Sequence, residues 1–304
     1  MKEQEIIENL KEIVPSKGKD ILTDIGDDTA VVKWDKDFYL LLTTDVVVED
    51  VHFRKAETTP YQIGWKALAV DLSDIAAMGG IPLYALVSLG LPEGNLQLLK
   101  GVYRGIKALA KKYDVKIIGG NISKSPFLFV NIFLAGKVER KNLKLRRTAK
   151  AGDLICITGK LGGAQVRKHL SFTPRIEEVR ALIQQVTISS MIDISDGLSS
   201  DLIKLAQESK VGFKIYLDRV PVSKDTLKLS KTREGRISHA LNDGEDYEIL
   251  FTVPKKFSKA LPRKICSVEI TKIGEIISEQ KYYGIEKGKE IRITEAGFDH
   301  FTGT

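Results

Sequence analysis

Residues that build disulfide frameworks and zinc sites are scarce in this 304-residue sequence, which has two cysteines and four histidines. Cys156 and Cys266 each lie in an apolar, strand-like stretch, without C-x-x-C spacing and without a histidine nearby. A disulfide framework and a zinc centre are therefore disfavoured, and both cysteines are predicted to be small buried side chains. This cysteine usage is typical of a reducing cytosol, so we expect a cytoplasmic location.

Long apolar runs are also missing, apart from residues 75–92, which carry no charge and are nearly long enough to span a membrane. Gly79, Gly80 and Pro82 interrupt that run, so it predicts the end of a buried helix, a turn and a buried strand. Residues 1–14 are charged throughout, with apolar residues at helical spacing, which indicates an amphipathic helix and not a signal peptide. We expect no membrane partner.

The common nucleotide-binding signatures are absent: there is no G-x-x-x-x-G-K-[ST], no G-x-G-x-x-G after a strand and no protein-kinase set. The formal net charge of +7 would suit a polyanionic small molecule, an anionic membrane surface or nucleic acid. A basic nucleic-acid-binding protein is therefore an alternative from a different functional class. The basic residues 137–150 include no aromatic residue on which bases could stack, so we expect no nucleic acid partner.

Apolar strand patterns alternate with helical patterns along the chain, and short connections join them, which indicates an α/β fold with mixed sheets. A basic, loop-like segment at residues 137–150 separates two such series. We place the domain boundary there, giving an N-terminal domain at residues 1–138 and a C-terminal domain at residues 139–304. Helices are predicted at residues 61–78 and 95–113, and strands at residues 38–44, 83–89, 115–118, 127–138, 154–158, 191–194, 213–217 and 247–253.

What the sequence does have is aspartate at the ends of apolar strands and inside an apolar helix, where an unpaired carboxylate is costly. Five segments show this feature, and each also has an ordinary structural interpretation. From the N-terminus onward, these interpretations are a Gly-Asp turn, a strand-capping turn, a salt bridge within the helix, a helix cap and an acidic turn. Together, many carboxylates and few histidines are typical of a polyphosphate site that uses magnesium. The five segments are residues 25–32, 40–45, 65–78, 192–201 and 241–248.

Two of these segments place oxygen ligands close together. One is an apolar strand that ends in Thr43, Thr44 and Asp45, two hydroxyls and a carboxylate of the kind that magnesium takes. The other is a helix in which Asp71 and Asp74 are three residues apart and so share a face. Because that helix is otherwise almost entirely apolar, its carboxylates need a nearby lysine or a metal ion.

A third segment runs from a strand into a helix through Ser195, Asp196 and a glycine. Ser195 or Asp196 could simply cap the helix. The helix start also offers backbone N–H groups to a phosphate, and Asp193 and Asp196 could hold the metal that bridges it. We therefore interpret this segment as part of a phosphate site.

Taken in order, ten stretches of the chain resemble the thiamine-monophosphate kinase family, within the superfamily that includes aminoimidazole ribonucleotide synthetase. They span nearly the whole chain in consistent order and spacing. The stretches read IGDDTA, LLTTD, VHF, WKALAVDLSDIAAMGG, IGGN, RRTAKAGD, TGKLGG, MIDISDGLSSDL, DGEDYEILFT and GFDHF.

The resemblance implies two α/β domains in the aminoimidazole ribonucleotide synthetase-like fold and a homodimer formed through the N-terminal domain. ATP is expected in a cleft between the domains near the dimer interface. The implied reaction transfers the γ-phosphoryl group of ATP to thiamine monophosphate, giving thiamine diphosphate and ADP, with several magnesium ions. A sister enzyme that uses ATP to activate an amide-type substrate is the alternative within the superfamily.

Roles are carried over from the family position by position, as implications of the resemblance. The implied magnesium ligands are Asp28, Thr43, Thr44, Asp45, Asp74, Asp193 and Asp196. The residues that fall where the family contacts ATP are Tyr103, Gly120, Asn121, Arg146 and Ser195. Those that fall where it contacts the thiamine substrate are His52, Glu245 and Phe298.

The chain departs from the family pattern in three places. A frequent Gly-Gly-Asp loop ends in Asn121 here, the usual Leu-Gly-Asp ends in Gly163, and a Gly-Gly-Glu-Asp begins with Asp243. The segment after Gly163 is also shorter than is common in the family. These departures bear on individual ATP and metal contacts.

The residue types fit the reaction. The acceptor is a phosphate that is already anionic at neutral pH, so its oxygen needs no general base and few histidines are required. The difficulty is the repulsion between two anions that must approach in line, which carboxylate-held magnesium relieves. We predict direct transfer without a phosphoenzyme.

Overall fold

The computed structural model describes residues 3–14, 18–298 and 300–301, and shows a mixed α/β fold with two β-sheets. The predicted fold class is confirmed. The helices of the described residues are α1 (Glu3–Ile13), α2 (Pro60–Ala77), α3 (Leu96–Lys112), α4 (Ile176–Gln185), α5 (Leu198–Glu208) and α6 (Arg233–Asn242). None of these helices is long and apolar enough to cross a membrane.

The first sheet has six strands in the order β1-β2-β3-β6-β4-β5. Only β4 and β5 run parallel, and every other neighbouring pair is antiparallel. These strands are β1 (Ile21–Thr23), β2 (Ala30–Lys33), β3 (Phe38–Val48), β4 (Ile81–Leu91), β5 (Lys116–Lys124) and β6 (Phe129–Glu139).

Side chains alternate across this sheet, as the pleat requires. Buried residues such as Leu41, Val87 and Leu134 belong to the core that also contains α2 and α3. The intervening residues are exposed although several are large and apolar, among them Tyr84, Leu86 and Phe133. One face of the sheet therefore lies open.

Helix α2 is the best defined helix of the N-terminal half. Thr59 caps it in a reciprocal capping box with Gln62, and Pro60 stands at its first turn, where a missing N–H costs nothing. It packs so closely on α3 that a Cβ on Gly64 would lie 1.9 Å from the carbonyl oxygen of Val102. Only glycine allows this contact, so the position of α2 over the sheet is fixed by backbone packing.

The second sheet has eight strands, in the order β14-β13-β9-β12-β7-β10-β8, with β11 paired to β12. Two short 3-10 turns at residues 164–166 and 168–170 follow β7. The strands are β7 (Asp153–Thr158), β8 (Ser190–Asp193), β9 (Gly212–Tyr216), β10 (Ile249–Pro254), β11 (Lys264–Ile265), β12 (Val268–Ile277), β13 (Tyr282–Glu286) and β14 (Lys289–Arg292).

Most predicted elements are present, with ends that differ by a few residues. The structure corrects one prediction: Cys156 is buried, but Cys266 is exposed, because it lies with φ of 45° in the tight turn between β11 and β12. The domain boundary after residue 138 stays a prediction. Asp299 of the GFDHF stretch and the first two residues of the predicted N-terminal helix lie outside the described residues.

Candidate active site

Three carboxylates from distant parts of the chain meet between the two sheets. Asp28 precedes β2, Asp74 is on the last turns of α2, and Asp193 ends β8. Carboxylate oxygens of all three lie within 4.8 Å of one another. We call these three residues the carboxylate cluster.

The cluster has an environment that disfavours its own negative charge. Burial, and then the neighbouring carboxylates, raise the pKa of Asp74 and of Asp193 well above the usual range. One carboxylate oxygen of Asp28 is buried without a hydrogen-bond partner. A divalent cation would relieve both conditions, and carboxylate oxygens are ligands that magnesium accepts.

The end of β3 supplies the neighbouring groups. Burial, followed by the charges of Asp196 and Asp28, raises the pKa of Asp45 to about 6. The hydroxyl of Thr43 donates to Asp74, on the helix side of the sheet. Thr44 points to the open face, where its hydroxyl donates to the carbonyl of Ile132 at 2.9 Å. The two threonine hydroxyls thus lie on opposite sides of the strand, and the one of Thr43 contacts the cluster.

Two carboxylates that sequence reasoning left without a role lie beside the cluster. Asp71 is fully buried, accepts a hydrogen bond from the Asp45 N–H at 3.1 Å and has its second oxygen unpaired. Burial, and then the charge of Asp45, raise the pKa of Asp71 well above its usual range. Asp27 has its pKa raised to about 7 by burial and by Asp28. Asp28 is adjacent to Asp27 in sequence, whereas Asp45 lies 26 residues from Asp71, so spacing gave no signal of that second contact.

Arg146 is the cation next to the cluster. It donates to Asp28 at 2.6 Å, and its backbone N–H donates to Asp27 at 3.2 Å. Burial opposes the charge of Arg146, but Asp28 and Asp27 more than offset this and raise its pKa. Its backbone carbonyl is held by the hydroxyls of Ser190 and Ser209, at 2.9 and 2.6 Å.

The turn into α5 carries a second acidic group. Asp196 is ion-paired with Lys204, which also donates to the buried Asp201 at 3.1 Å. Ser195 lies beside them, with its hydroxyl 3.5 Å from Asp196. Sequence analysis did not single out Lys204, although its i,i+3 spacing from Asp201 was a usable signal.

Two pockets meet at these groups. The larger pocket has a volume of about 890 Å³ and the smaller about 680 Å³. Asp45, Asp74, Asp193 and Ser195 line both. The chain therefore offers two neighbouring compartments with a shared acidic wall.

Both pockets contain residues that the sequence predicts as binding groups. His52, Glu245, Phe298 and Asp196 line the larger pocket. The polar residues that line the smaller pocket include Asp27, Asp28, Thr43, Thr44, Arg146 and Lys204.

A fully buried lysine contacts two residues that line the larger pocket, His52 and Glu245. Lys66, on α2, donates to the carbonyl of His52 at 2.8 Å and is ion-paired with Glu245. Burial lowers its pKa, and Glu245 counteracts this. At the pocket mouth, the ring of His300 lies 5.1 Å from that of His52 and 4.9 Å from that of Phe298.

Three predicted nucleotide contacts lie elsewhere in this chain. Tyr103 is on α3, and Gly120 and Asn121 are on the edge strand β5; none of the three lines either pocket. Gly120 has φ of 155°, and a Cβ there would lie 1.8 Å from the carbonyl oxygen of Val87. Their assignment to ATP binding stays a prediction.

Comparison with known proteins gives consistent matches. Residues 26–138 match the N-terminal domain, and residues 141–287 the C-terminal domain, of AIR synthase related protein. The chain is 37% identical to a thiamine-monophosphate kinase of Buchnera aphidicola subsp. Schizaphis graminum, over 98% of each chain. It is 39% identical to that of Aquifex aeolicus, over 76% of this chain and 81% of the relative.

A solved structure is equally similar. AaThiL complexed with AMPPCP and TMP superimposes with a TM-score of 0.85 and 34% identity, covering 99% of this chain and 97% of the other. Fold and sequence therefore point to one family.

Proposed function

Because the chain belongs to the thiamine-monophosphate kinases within the AIR synthase related family, we propose that it transfers the γ-phosphoryl group of ATP to thiamine monophosphate. The single observation that carries the proposal is the pair of pockets with a common wall of Asp45, Asp74 and Asp193. A phosphoryl transfer between two phosphorylated compounds needs this arrangement, since donor and acceptor must bind apart and react where they meet.

We assign the nucleotide to the smaller pocket and the acceptor to the larger one. Arg146, which lines the smaller pocket and is held by Asp28 and Asp27, would be a fixed counter-charge for ATP phosphates. Glu245 offers a carboxylate to the cationic thiazolium ring in the larger pocket, and Phe298 offers an aromatic face for stacking. Ser195 lines both pockets and lies where the two phosphates would approach.

The carboxylate cluster fits magnesium, and Asp28, Asp74 and Asp193 would hold one ion. Thr43, Thr44, Asp45 and Asp196 are proposed as ligands that help to hold this and further magnesium ions. The unpaired oxygen of Asp28 and the raised pKa values of Asp74 and Asp193 support this assignment. Magnesium would supply charge neutralisation between the two phosphates and align them.

The transfer is proposed to be direct. A phosphate oxygen of thiamine monophosphate forms the new bond to the γ-phosphorus, the bond from that phosphorus to the bridging oxygen breaks, and ADP leaves with the electron pair. No protein nucleophile is required. Incubation with γ-labelled ATP alone should therefore leave the isolated enzyme unlabelled, and a labelled enzyme would contradict the direct route.

We further propose a homodimer formed through the open face of the first sheet. Tyr84, Leu86 and Phe133 are exposed on that face, a contiguous apolar arrangement that water does not favour. Phe133 and Thr44 are paired across β6 and β3, so this face continues into the smaller pocket. We expect the dimer to complete the nucleotide site.

The dimer proposal is tested with Leu86→Arg, measured by light scattering after size exclusion. The variant should elute as a monomer, while the unmodified chain elutes at twice its own mass. Leu96→Arg is the matched control, because Leu96 is also exposed and apolar but lies at the start of α3. A monomeric wild-type protein would contradict the proposal.

The activity is tested by coupled ADP release with three acceptors, each with and without magnesium. Thiamine monophosphate should support turnover only with the metal, whereas thiamine and an amide precursor of aminoimidazole ribonucleotide should not. Turnover with the amide precursor would favour the sister-enzyme alternative. Turnover with thiamine would mean that the acceptor is a hydroxyl and not a phosphate.

A further inference from the structure

Three histidines line the larger pocket, and backbone contacts fix the tautomer of two of them, His52 and His169. The Nδ1 atom of His52 accepts a hydrogen bond from the N–H of Val48 at 3.1 Å, so its proton is on Nε2. The Nδ1 atom of His169 lies 2.9 Å from the carbonyl oxygen of Ala164, which can only accept, so its proton is on Nδ1. The Nε2 atom of His169 is therefore a hydrogen-bond acceptor.

Both rings stay neutral at ordinary pH. Burial, and then the charges of Lys66 and His300, lower the pKa of His52 to about 4. Burial is also the largest cause of the lowered pKa of His169, with Lys66 adding to it and Glu245 opposing it. Because both rings stay neutral, His52 keeps a donating Nε2–H and His169 keeps an accepting Nε2.

The backbone around His169 is firmly anchored. Lys168 donates to Glu248 at 2.8 Å. The ring of Phe172 stacks on Tyr247 with centroids 4.1 Å apart, and the carbonyl of Phe172 accepts from the Trp65 indole at 2.8 Å. His169 is held in place on both sides, as a specificity-determining group must be.

An unprotonated ring nitrogen is unsuited to the phosphate end of the substrate, because it cannot donate to a phosphate oxygen. At its other end, thiamine monophosphate has a single group with N–H donors, which is the exocyclic amino group of the aminopyrimidine ring. An acceptor in the pocket wall matches that group and no other part of the molecule.

We propose that His169 accepts a hydrogen bond from the amino group of the aminopyrimidine through Nε2, and so selects thiamine monophosphate against analogues that lack this donor. This inference rests on the proposed function. The N–H of His52, on the same pocket, is available as a donor to an acceptor of the substrate.

The test compares thiamine monophosphate with oxythiamine monophosphate, in which a carbonyl oxygen replaces the amino group. The unmodified enzyme should prefer the amino compound by about tenfold or more in kcat/KM, since two acceptors would face each other with the analogue. His169→Ala and His169→Gln should bring the ratio close to one, with the KM for ATP unchanged. Arg167→Ala, on the same segment and pocket, should keep the ratio.

The outcomes distinguish a failure of the proposed function from a failure of the inference about His169. If the unmodified enzyme releases no ADP with thiamine monophosphate, the proposed function itself fails. If it does, but either the wild type does not discriminate or the His169 variants lose both substrates equally, the inference is overturned. His169→Gln keeps this readout available if the alanine variant does not fold.

Discussion

At the scale of single residues, the carboxylate cluster places charge where the folded protein does not favour it. Asp74→Asn keeps the shape of the side chain and its contact with Thr43 but removes a charge. We expect kcat/KM to fall on the order of 100-fold or more, because a ligand of the proposed metal is lost. In EDTA at pH 7, the same variant should unfold at a higher temperature than the wild type, since repulsion from Asp45 and Asp193 is relieved.

Asp37→Asn is the matched control for this experiment. Asp37 is an exposed aspartate on the turn before β3, far from either pocket. It should change neither activity nor melting temperature. An Asp74→Asn protein that loses activity and also loses stability in EDTA would contradict the electrostatic account, because it would indicate ordinary misfolding.

The site residues that the sequence predicted and those that it missed differ in how much of their environment is local in the chain. Asp74 and Asp193 were predictable because each lies in an apolar segment, a cost that the sequence itself reveals, whereas Asp28 was assigned by the family resemblance. Asp27 and His169 were missed, since part of the environment of each comes from distant residues: Arg146 for Asp27, and Lys66 and Glu245 for His169. Arg146 was predicted by the family resemblance, and only the structure reveals its contact with Asp28.

At the scale of elements, the segment between β7 and α4 depends on one buried carboxylate. Glu248 accepts from Lys168 at 2.8 Å and from Arg175 at 2.6 and 2.7 Å. These bonds lower the pKa of Glu248 although burial opposes this. The network adds side-chain contacts to the few backbone hydrogen bonds of the two 3-10 turns in this segment.

Arg175→Met should therefore loosen the segment. We expect a loss of about 2 kcal/mol in the free energy of unfolding, because Glu248 stays buried with fewer partners. The KM for thiamine monophosphate should rise more than the KM for ATP, since the segment lines the larger pocket only. Urea unfolding and steady-state kinetics measure the two effects.

Arg180→Met, on the exposed side of α4, is the control for Arg175→Met. This substitution also replaces an arginine of the same region by methionine, but it leaves the hydrogen bonds of Glu248 unchanged. Equal losses from both substitutions would contradict the role assigned to the network.

Elements were predictable where burial produces a period, as in α3 and β6, and less so where it does not. Strand β5 was expected at residues 115–118 but runs over Lys116–Lys124. The part beyond the predicted end, residues 119–124, contains two glycines and an asparagine, which disfavour strand structure locally. Pairing with β4 overrides that local preference, and no sequence pattern reports pairing.

At the scale of the whole molecule, the site exists only because both halves of the chain fold onto each other. Asp74 comes from the first half and Asp193 from the second, and Ser73 donates to Asp193 at 2.6 Å across that junction. The sequence indicated both groups but not their contact. Folding therefore has to gather like charges, and the stability of the protein should depend on pH and on metal.

Without a divalent cation, the free energy of unfolding should fall as the pH rises from 5 to 8. The pKa of Asp45 is raised from 3.8 to about 6 and that of Asp27 to about 7, and those of Asp71, Asp74 and Asp193 are raised well above 3.8. Above pH 4 the unfolded chain loses these protons while the folded chain keeps them. Stability is thus full below the unfolded pKa and is lost as the pH passes each folded pKa.

Magnesium should reverse this trend, because it binds the deprotonated cluster and competes with protons. We expect the gain in melting temperature from added magnesium to be small at pH 5 and to grow up to pH 8, as followed by circular dichroism. Asp74→Asn should show a flatter curve in EDTA and a smaller gain. A melting temperature in EDTA that does not fall with pH, or a magnesium effect independent of pH, would mean that the carboxylates are not the groups that bind the metal.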